Sequence, residues 1–287
     1  MRELLVGDGG PLLLPGAPDA LTARLIEQVG FEAVYVTGAG VTNRHLAMPD
    51  LALITLSELA DHVEAMRGAV EIPIVVDADT GFGGPLNVRR TVQVLERRGA
   101  NAIQLEDQVF PKRCGHFAGT EVIPADEMVA KLDAALDARR DDSLLIIART
   151  DARQASGLEA ALERAERYRE AGADVIFVEA PQSREELAEV GRRLRGPLLV
   201  NVVEGGATPQ LPAGEFGELG FSIVLYANAA LRGALWGARG VLDELKRTGS
   251  TAGALDRMLG WDERQRLVGK PFYDELSDRY ATPREAP

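Results

Sequence analysis

One cysteine, Cys114, is the whole disulfide-forming capacity of 287 residues. A single thiol cannot close an intramolecular bridge, which fits a reducing compartment. Long apolar runs are missing too. None approaches the ~20 residues of a membrane span, and the opening Met-Arg-Glu-Leu-Leu-Val-Gly-Asp lacks the charged-then-apolar order of a signal peptide. A soluble, cytoplasmic protein with no membrane partner is expected. Positive charge is short: 32 lysines and arginines stand against 44 aspartates and glutamates, a net charge of −12. That balance disfavours nucleic acid and anionic lipid as partners. A small anionic substrate would need local positive charge set against the global field. No Gly-x-Gly-x-x-Gly follows an apolar run either; Gly81, Gly83 and Gly84 come after Asp77 and Asp79, which weakens a dinucleotide-binding reading.

What the chain does have is a repeated unit. Four times a glycine precedes a short apolar run by a few residues: Gly30 before 33–36, Gly99 before 102–105, Gly172 before 175–178 and Gly220 before 223–225. A glycine just past a helix C-terminus, leading into a buried strand, produces this spacing. Further β-branched or leucine-rich runs fall at 12–14, 74–76, 144–147 and 198–200, with helical periodicity between them, as at 162–171 and 187–194. Eight continuously apolar strands, each followed by a helix, predict an α/β fold of the closed (β/α)8 barrel type, with an open doubly wound sheet as the alternative. The expected organisation is one domain over 1–287, with 250–287 as a helical extension carrying Trp261, Phe272 and Tyr273 and placed at a subunit interface.

Barrel enzymes place their chemistry where strands end, and here the predicted strand ends are polar: Thr37-Gly38-Ala39-Gly40, Asp77-Ala78-Asp79, Glu106-Asp107, Arg149-Thr150-Asp151, Glu179, Asn201 and Tyr226. Asp77 and Asp79, two apart on an extended chain, would face the same way. With Glu106 and the loop residue Asp50 they form an oxygen-only anionic set with no lysine among them, which a hard divalent cation would relieve: Mg²⁺, with Mn²⁺ able to substitute. The competing reading has the two aspartates capping a helix or pairing with Arg89 and Arg90. Thr37-Gly38-Ala39-Gly40 offers free amides for an anion, or is a simple tight turn. Arg149 can grip an anion with its fork, or pair with Glu179 or Asp151. Of the histidines outside the cysteine segment, His62 is expected on a helix surface and His45 in a loop.

Cys114 lies in Pro111-Lys112-Arg113-Cys114-Gly115-His116. Lys112, Arg113 and His116 would favour its thiolate, and the alternative, a buried structural cysteine, fits poorly with so polar a run.

These motifs, in this order, together with Pro49-Asp50-Leu51, Asp77-Ala78-Asp79-Thr80-Gly81-Phe82-Gly83, Leu105-Glu106-Asp107-Gln108 and Ile147-Ala148-Arg149-Thr150-Asp151-Ala152, resemble the isocitrate lyase/phosphoenolpyruvate mutase superfamily over nearly the whole chain. The resemblance implies an α/β barrel with Mg²⁺ on Asp77 and Asp79, with Asp50 and Glu106 further out. It implies a loop from Lys112 to His116, including Gly115, that closes on the substrate while its cysteine delivers a proton. It also implies a homotetramer with exchanged C-terminal helices. A cysteine in this loop is similar to the carbon–carbon lyases and to the phosphonomutase that handles carboxyphosphonoenolpyruvate. Val203 and Gly205 stand where methylisocitrate lyases carry Thr and Phe, and Tyr226-Ala227-Asn228 replaces a usual Tyr-Pro. The implied reaction is retro-aldol cleavage of a 2-hydroxy di- or tricarboxylate, with Thr37, Gly38, Ala39 and Arg149 clamping carboxylates, Glu179 and Asn201 on the rim and Tyr35 helping to remove the hydroxyl proton. Phosphonomutase chemistry is the alternative, and a non-catalytic barrel the remote one.

Overall fold

The computed structural model describes residues 1–5, 10–113 and 119–281. Eight parallel strands close on themselves in sequence order: β1 (Leu12–Ala17), β2 (Val34–Val36), β3 (Ile74–Asp77), β4 (Ala102–Glu106), β5 (Leu145–Thr150), β6 (Val175–Val178), β7 (Leu198–Asn201) and β8 (Ile223–Tyr226). Closure is made by β1 against β8, Leu12 opposite Ile223 through Pro15 opposite Tyr226. The helices between them are α1 (Ala20–Val29), α2 (Gly38–Leu46), α3 (Leu56–Arg67), α4 (Pro85–Arg97), α5 (Ala125–Ala138), α6 (Ala152–Ser156), α7 (Leu158–Glu170), α8 (Arg184–Arg193) and α9 (Ala213–Glu218). This is the expected barrel. Each strand in it is parallel and covered, so the run of apolar residues needs no solvent-facing alternation.

The four glycines that marked helix ends have φ of 101° (Gly30), 97° (Gly99), 102° (Gly172) and 93° (Gly220), the left-handed turn that reverses a helix into a strand. Two apolar layers result. Leu14, Tyr35, Val75, Ala102, Ile147, Phe177, Leu199 and Leu225 fill the barrel interior, while Val34, Val36, Val76, Ile103, Ile146, Ile176 and Val200 pack outward against the helices. Successive residues of a strand face opposite sides. Two steps beyond the interior residues therefore stand Thr37, Asp77, Arg149, Glu179, Asn201 and Ala227, and on β4 the interior row reads Ala102, Gln104, Glu106. The mouth of the barrel is the polar continuation of its core.

The chain divides into two compact units, Met1–Leu231 and Arg232–Pro287. The boundary lies within α10 (Ala229–Thr248), upstream of residue 250. The second unit continues through a 3-10 helix (Ala252–Arg257), α11 (Trp261–Leu267) and α12 (Lys270–Tyr280). No helix among the described residues is long and apolar enough to cross a membrane.

Barrel closure depends on a close backbone approach at Gly16, where any Cβ would collide with the carbonyl oxygen of Ala227. Backbone cannot yield as a side-chain tip can, so Gly16→Ala is expected to cost ~3 kcal/mol. A melting temperature within 1 °C of the parent, by circular dichroism, would contradict this.

Candidate active site

Asp77 ends β3 on the inward side, but Asp79 does not continue an extended chain. Its φ is 49°, left-handed, and the next turn keeps positive φ at Gly81, Phe82 and Gly83. Aspartate tolerates this region better than most residues, and such strain collects at functional sites. The turn is tied down: Asp79 N donates to Asp77 Oδ1 at 3.3 Å, and Glu106 N donates to the Asp79 carbonyl at 2.9 Å. The two carboxylates therefore meet by a fold in the backbone, not by strand alternation as the spacing suggested. They meet beside Gly38, where a Cβ would sit 3.1 Å from Asp77 Oδ2 and 3.2 Å from Asp79 Oδ1. Neither aspartate caps a helix, since the N-cap of α4 is Gly84, and Arg89 pairs with Asp137.

A lysine does stand among the acids. Lys112 is buried, with its Nζ 2.5 Å from Asp50 Oδ1 and 2.8 Å from Asp79 Oδ1. Among the described residues the Lys112 ammonium is the one polar partner of Asp79 Oδ1, and Glu106 Oε1 has no hydrogen-bond partner. The expectation of a lysine-free set failed because Lys112 is distant in sequence and was assigned to the thiol. Burial would lower its pKa, but Asp79, Glu106, Asp50 and Asp77 together hold the ammonium charged, well above its ordinary value. Burial, opposed by Lys112 and reinforced by Asp77 and Asp50, pushes the Asp79 carboxyl up to about 6. Burial likewise raises Glu106 well above the usual carboxylate range. Lys112 and, at Glu106, Arg149 are the cations set against these four acids.

Thr37-Gly38-Ala39-Gly40 is the start of α2 and not a loop. Thr37 caps it, accepting from Gly40 N at 3.2 Å, and Gly38 N donates to Asp77 Oδ2 at 3.3 Å. Two of the amides expected to be free are thus used internally, although the helix N-terminus still favours an anion. Thr37 also donates to Asn228 Oδ1 at 3.3 Å, which puts the departure at 226–228 against this turn. His45 lies on α2, edge-on to His62 of α3 with ring centroids 5.1 Å apart. Burial and His45 lower the His62 pKa.

Arg149 is held by a bidentate pair with Asp151, at 3.0 Å and 2.8 Å, by Glu106 at 3.4 Å, and lies 4.0 Å from Glu179. Its guanidinium stands over the Phe177 ring at 5.2 Å. Asn201 donates to Glu179 Oε1 at 3.3 Å. Tyr35, buried inside the barrel, donates its hydroxyl to Gln104 Oε1 at 2.9 Å, and Gln104 donates to Asp77 Oδ1 at 3.2 Å. Burial and Asp77 raise the Tyr35 pKa well above its ordinary value, so the phenol keeps its proton and acts as a donor. Gln104 and Asp151 were missed as site residues. A lone amide on the inward row of the apolar strand Ala-Ile-Gln-Leu-Glu was the available signal for Gln104.

Cys114, Gly115 and His116 lie outside the described residues. The described stems of their loop are anchored: Gln108, buried, donates to the Arg113 carbonyl at 2.8 Å and accepts from Arg113 N at 2.9 Å, a closed two-bond ring beside Lys112. Among the described residues no group of three or more His, Cys, Asp or Glu is arranged to hold a metal ion. The residues whose oxygens could take part in holding a hard divalent cation are Asp77 and Asp79, side by side at Gly38.

The chain is 43% identical to 2,3-dimethylmalate lyase of Eubacterium barkeri over 99% of its own length and 98% of that protein. It is 47% identical to 2-methylisocitrate lyase of Aeropyrum pernix over 92% and 85%. Among solved structures, oxaloacetate acetylhydrolase in complex with 3,3-difluorooxalacetate superposes with a TM-score of 0.91 at 34% identity, covering 96% of this chain and 94% of that one. Residues 1–246 match the family described as phosphoenolpyruvate phosphomutase, and the chain belongs to it.

Proposed function

We propose that the protein is a divalent-metal-dependent carbon–carbon lyase that splits a 2-hydroxy di- or tricarboxylate, of the substituted malate or 2-methylisocitrate type, into an α-keto acid and a second acid. The observation that carries this reading is the pairing, at one barrel mouth, of an oxygen-only acid set beside Gly38 with a forked cation, Arg149, presented by Asp151. The names of the two lyases reported above support it.

Asp77 and Asp79 would hold the metal, with Asp50 and Glu106 farther out. Bound there, Mg²⁺, or Mn²⁺ in its place, supplies Lewis-acid polarisation of the 2-oxygen and the neighbouring carboxylate. Arg149 and the start of α2 at Thr37, Gly38 and Ala39 bind carboxylates and fix the angle of the breaking bond. Glu179 and Asn201 complete the rim. The electron pair of that bond stays on the departing acid as an aci-carboxylate carbanion. Glu106, whose Oε2 lies 3.4 Å from Arg149 at the end of β4, takes the hydroxyl proton, and Tyr35 serves by holding Gln104 against Asp77. Cys114, flanked by Lys112 and His116 with Gly115 between, returns a proton to the carbanion. Phosphonomutase chemistry would use the same acids, and the family description keeps it as the second reading.

We also propose a cytoplasmic homotetramer with exchanged C-terminal helices. In support, the second unit leaves Leu235, Trp236, Leu242, Trp261, Phe272 and Tyr273 exposed, more apolar surface than a solvated segment of 56 residues ordinarily shows.

Four outcomes test these assignments. Exhaustive chelation should abolish turnover and Mg²⁺ restore it, with Asp77→Ala unresponsive; activity that survives chelation defeats the metal assignment. Lys112→Met should destabilise the chelated protein by ~3 kcal/mol, because Asp50 and Asp79 lose their buried counter-ion. Mg²⁺ should then raise its melting temperature more than the parent's, and an equal rise in both would show that Lys112 does not share charge with the cation. Cys114→Ser should fold normally and lose ~10²-fold in kcat, while iodoacetamide should alkylate the parent near neutral pH. Full activity of the serine variant ends the proton-donor role. Finally, Val203 and Gly205, in the turn after β7, offer few hydrogen bonds to a third carboxylate, at a cost of ~1–3 kcal/mol for a tricarboxylate. Measured kcat/KM should favour dimethylmalate, ethylmethylmalate and citramalate over methylisocitrate, isocitrate and oxaloacetate. Preference for methylisocitrate overturns the Val203 argument alone, and inactivity on all six shifts the assignment to the phosphonomutase.

A further inference from the structure

Asp107 follows Glu106 on the outward side of the pleat, fully buried, and nothing in the reaction described above uses it. A buried carboxylate is costly unless its oxygens are fully hydrogen-bonded, and this one is saturated. Its Oδ2 accepts from Thr150 Oγ1 at 2.8 Å, from Tyr168 OH at 2.8 Å and from Arg164 Nη1 at 3.2 Å. Its Oδ1 accepts from Asp151 N at 2.9 Å. Two donors come from α7 and two from the pair of residues that follow Arg149. The α7 arm is rigid, since Tyr168 is fully buried and Arg164 also donates to the Ile123 carbonyl at 2.8 Å, while Ile123 N donates back to the Asp107 carbonyl at 2.9 Å.

The other arm reaches the site. Thr150 Oγ1 accepts from Ala152 N at 3.2 Å, so the one hydroxyl joins Asp107 to the first turn of α6. Asp151, its amide fixed by Asp107, gives both carboxylate oxygens to Arg149 Nε and Nη2. The fork that would meet a substrate carboxylate is therefore aimed by a partner whose own backbone is fixed from the far side of the sheet.

We propose that Asp107 is a positioning residue for the Arg149 clamp: by taking the Thr150 hydroxyl and the Asp151 amide together, it sets the direction in which Asp151 presents the guanidinium to a substrate carboxylate. The proposal rests on the reading of Arg149 as that clamp. A guanidinium is useful to a carboxylate only when two parallel N–H bonds line up, and small displacements of a positioning group cost heavily.

The test is calorimetric titration of the full-length protein with oxalate in the presence of Mg²⁺, which reads binding without turnover. Arg149→Lys should weaken oxalate by tenfold or more through loss of the fork. Asp107→Asn and Thr150→Val should each weaken it by about tenfold, and Thr150→Ser, which keeps the hydroxyl, should bind close to the parent. Asp107→Asn combined with Arg149→Lys should be no weaker than Arg149→Lys alone, because both changes remove one aimed contact. Weakening by Arg149→Lys with parental binding in Asp107→Asn and Thr150→Val overturns the positioning role and leaves the clamp standing. Parental binding in Arg149→Lys, or no oxalate binding by the parent, overturns the clamp and the proposal with it. Additive losses in the double variant assign Asp107 an independent, structural effect and also overturn it. Should Asp107→Asn fail to fold, Thr150→Val and Tyr168→Phe, each removing one hydroxyl at nearly constant volume, decide the matter by the same titration.

Discussion

Six carboxylates are buried at one end of this barrel, Asp77, Asp79, Glu106, Asp107, Asp151 and Glu179, and the fully charged groups buried with them among the described residues are Lys112, Arg149 and Lys131. That imbalance governs the rest of the site. Each carboxylate must find a cation, a set of N–H or O–H donors, or a proton, because an ionised acid in a low-dielectric interior is otherwise untenable. Asp107 is satisfied by donors. Asp151, Glu106 and Glu179 share Arg149. Asp77 takes the amides of Gly38, Asp79 and Gln104. Asp79 leans on the Lys112 ammonium at 2.8 Å, Glu106 keeps one oxygen without a hydrogen bond among the described residues, and burial raises the pKa of both. Buried acids outnumber buried cations two to one at this end of the barrel.

The strand-helix alternation was legible in the chain because helix-ending glycines have one conformational use and buried parallel strands have one composition. Gly30, Gly99, Gly172 and Gly220 all adopt the left-handed φ that their spacing implied. Strand ends were less legible: β5 runs on through Arg149 to Thr150, past the point where apolar composition stops, because polar residues at the barrel mouth still complete the ladder. The start of α2 was read as a loop since Thr-Gly-Ala-Gly has poor helix propensity. The capping bond from Gly40 to Thr37 and the bond from Gly38 to Asp77 supply what the local sequence does not.

At the site, positions that follow from strand parity were readable, and positions set by long-range contacts were not. Asp77, Arg149, Glu179 and Asn201 extend inward-facing rows and could be placed by counting in twos. Asp79 could not, for its carboxylate arrives through a left-handed turn that spacing alone does not reveal. Lys112 is the clearer case. In the chain it is a neighbour of Cys114, and electrostatics within the segment assigned it to the thiol. In space it is a partner of Asp50 and Asp79, 62 and 33 residues away. Local sequence cannot show which of two acceptors a four-carbon stem will reach.

This double position gives Lys112 its significance. Its ammonium is the one cation that touches both Asp50 and Asp79 among the described residues, and its stem belongs to the segment whose following residues carry the thiol. Charge in the acid cluster and placement of the segment are consequently not independent. The ammonium gains most where the cluster is most negative, and a divalent cation on Asp77 and Asp79 would lower that attraction by supplying the same charge. Gln108, by clamping both the amide and the carbonyl of Arg113, limits how far the segment could respond. Asp107, the residue before it, fixes the backbone beyond Arg149. Adjacent residues just past the end of β4 thus anchor the two cationic arms of the mouth.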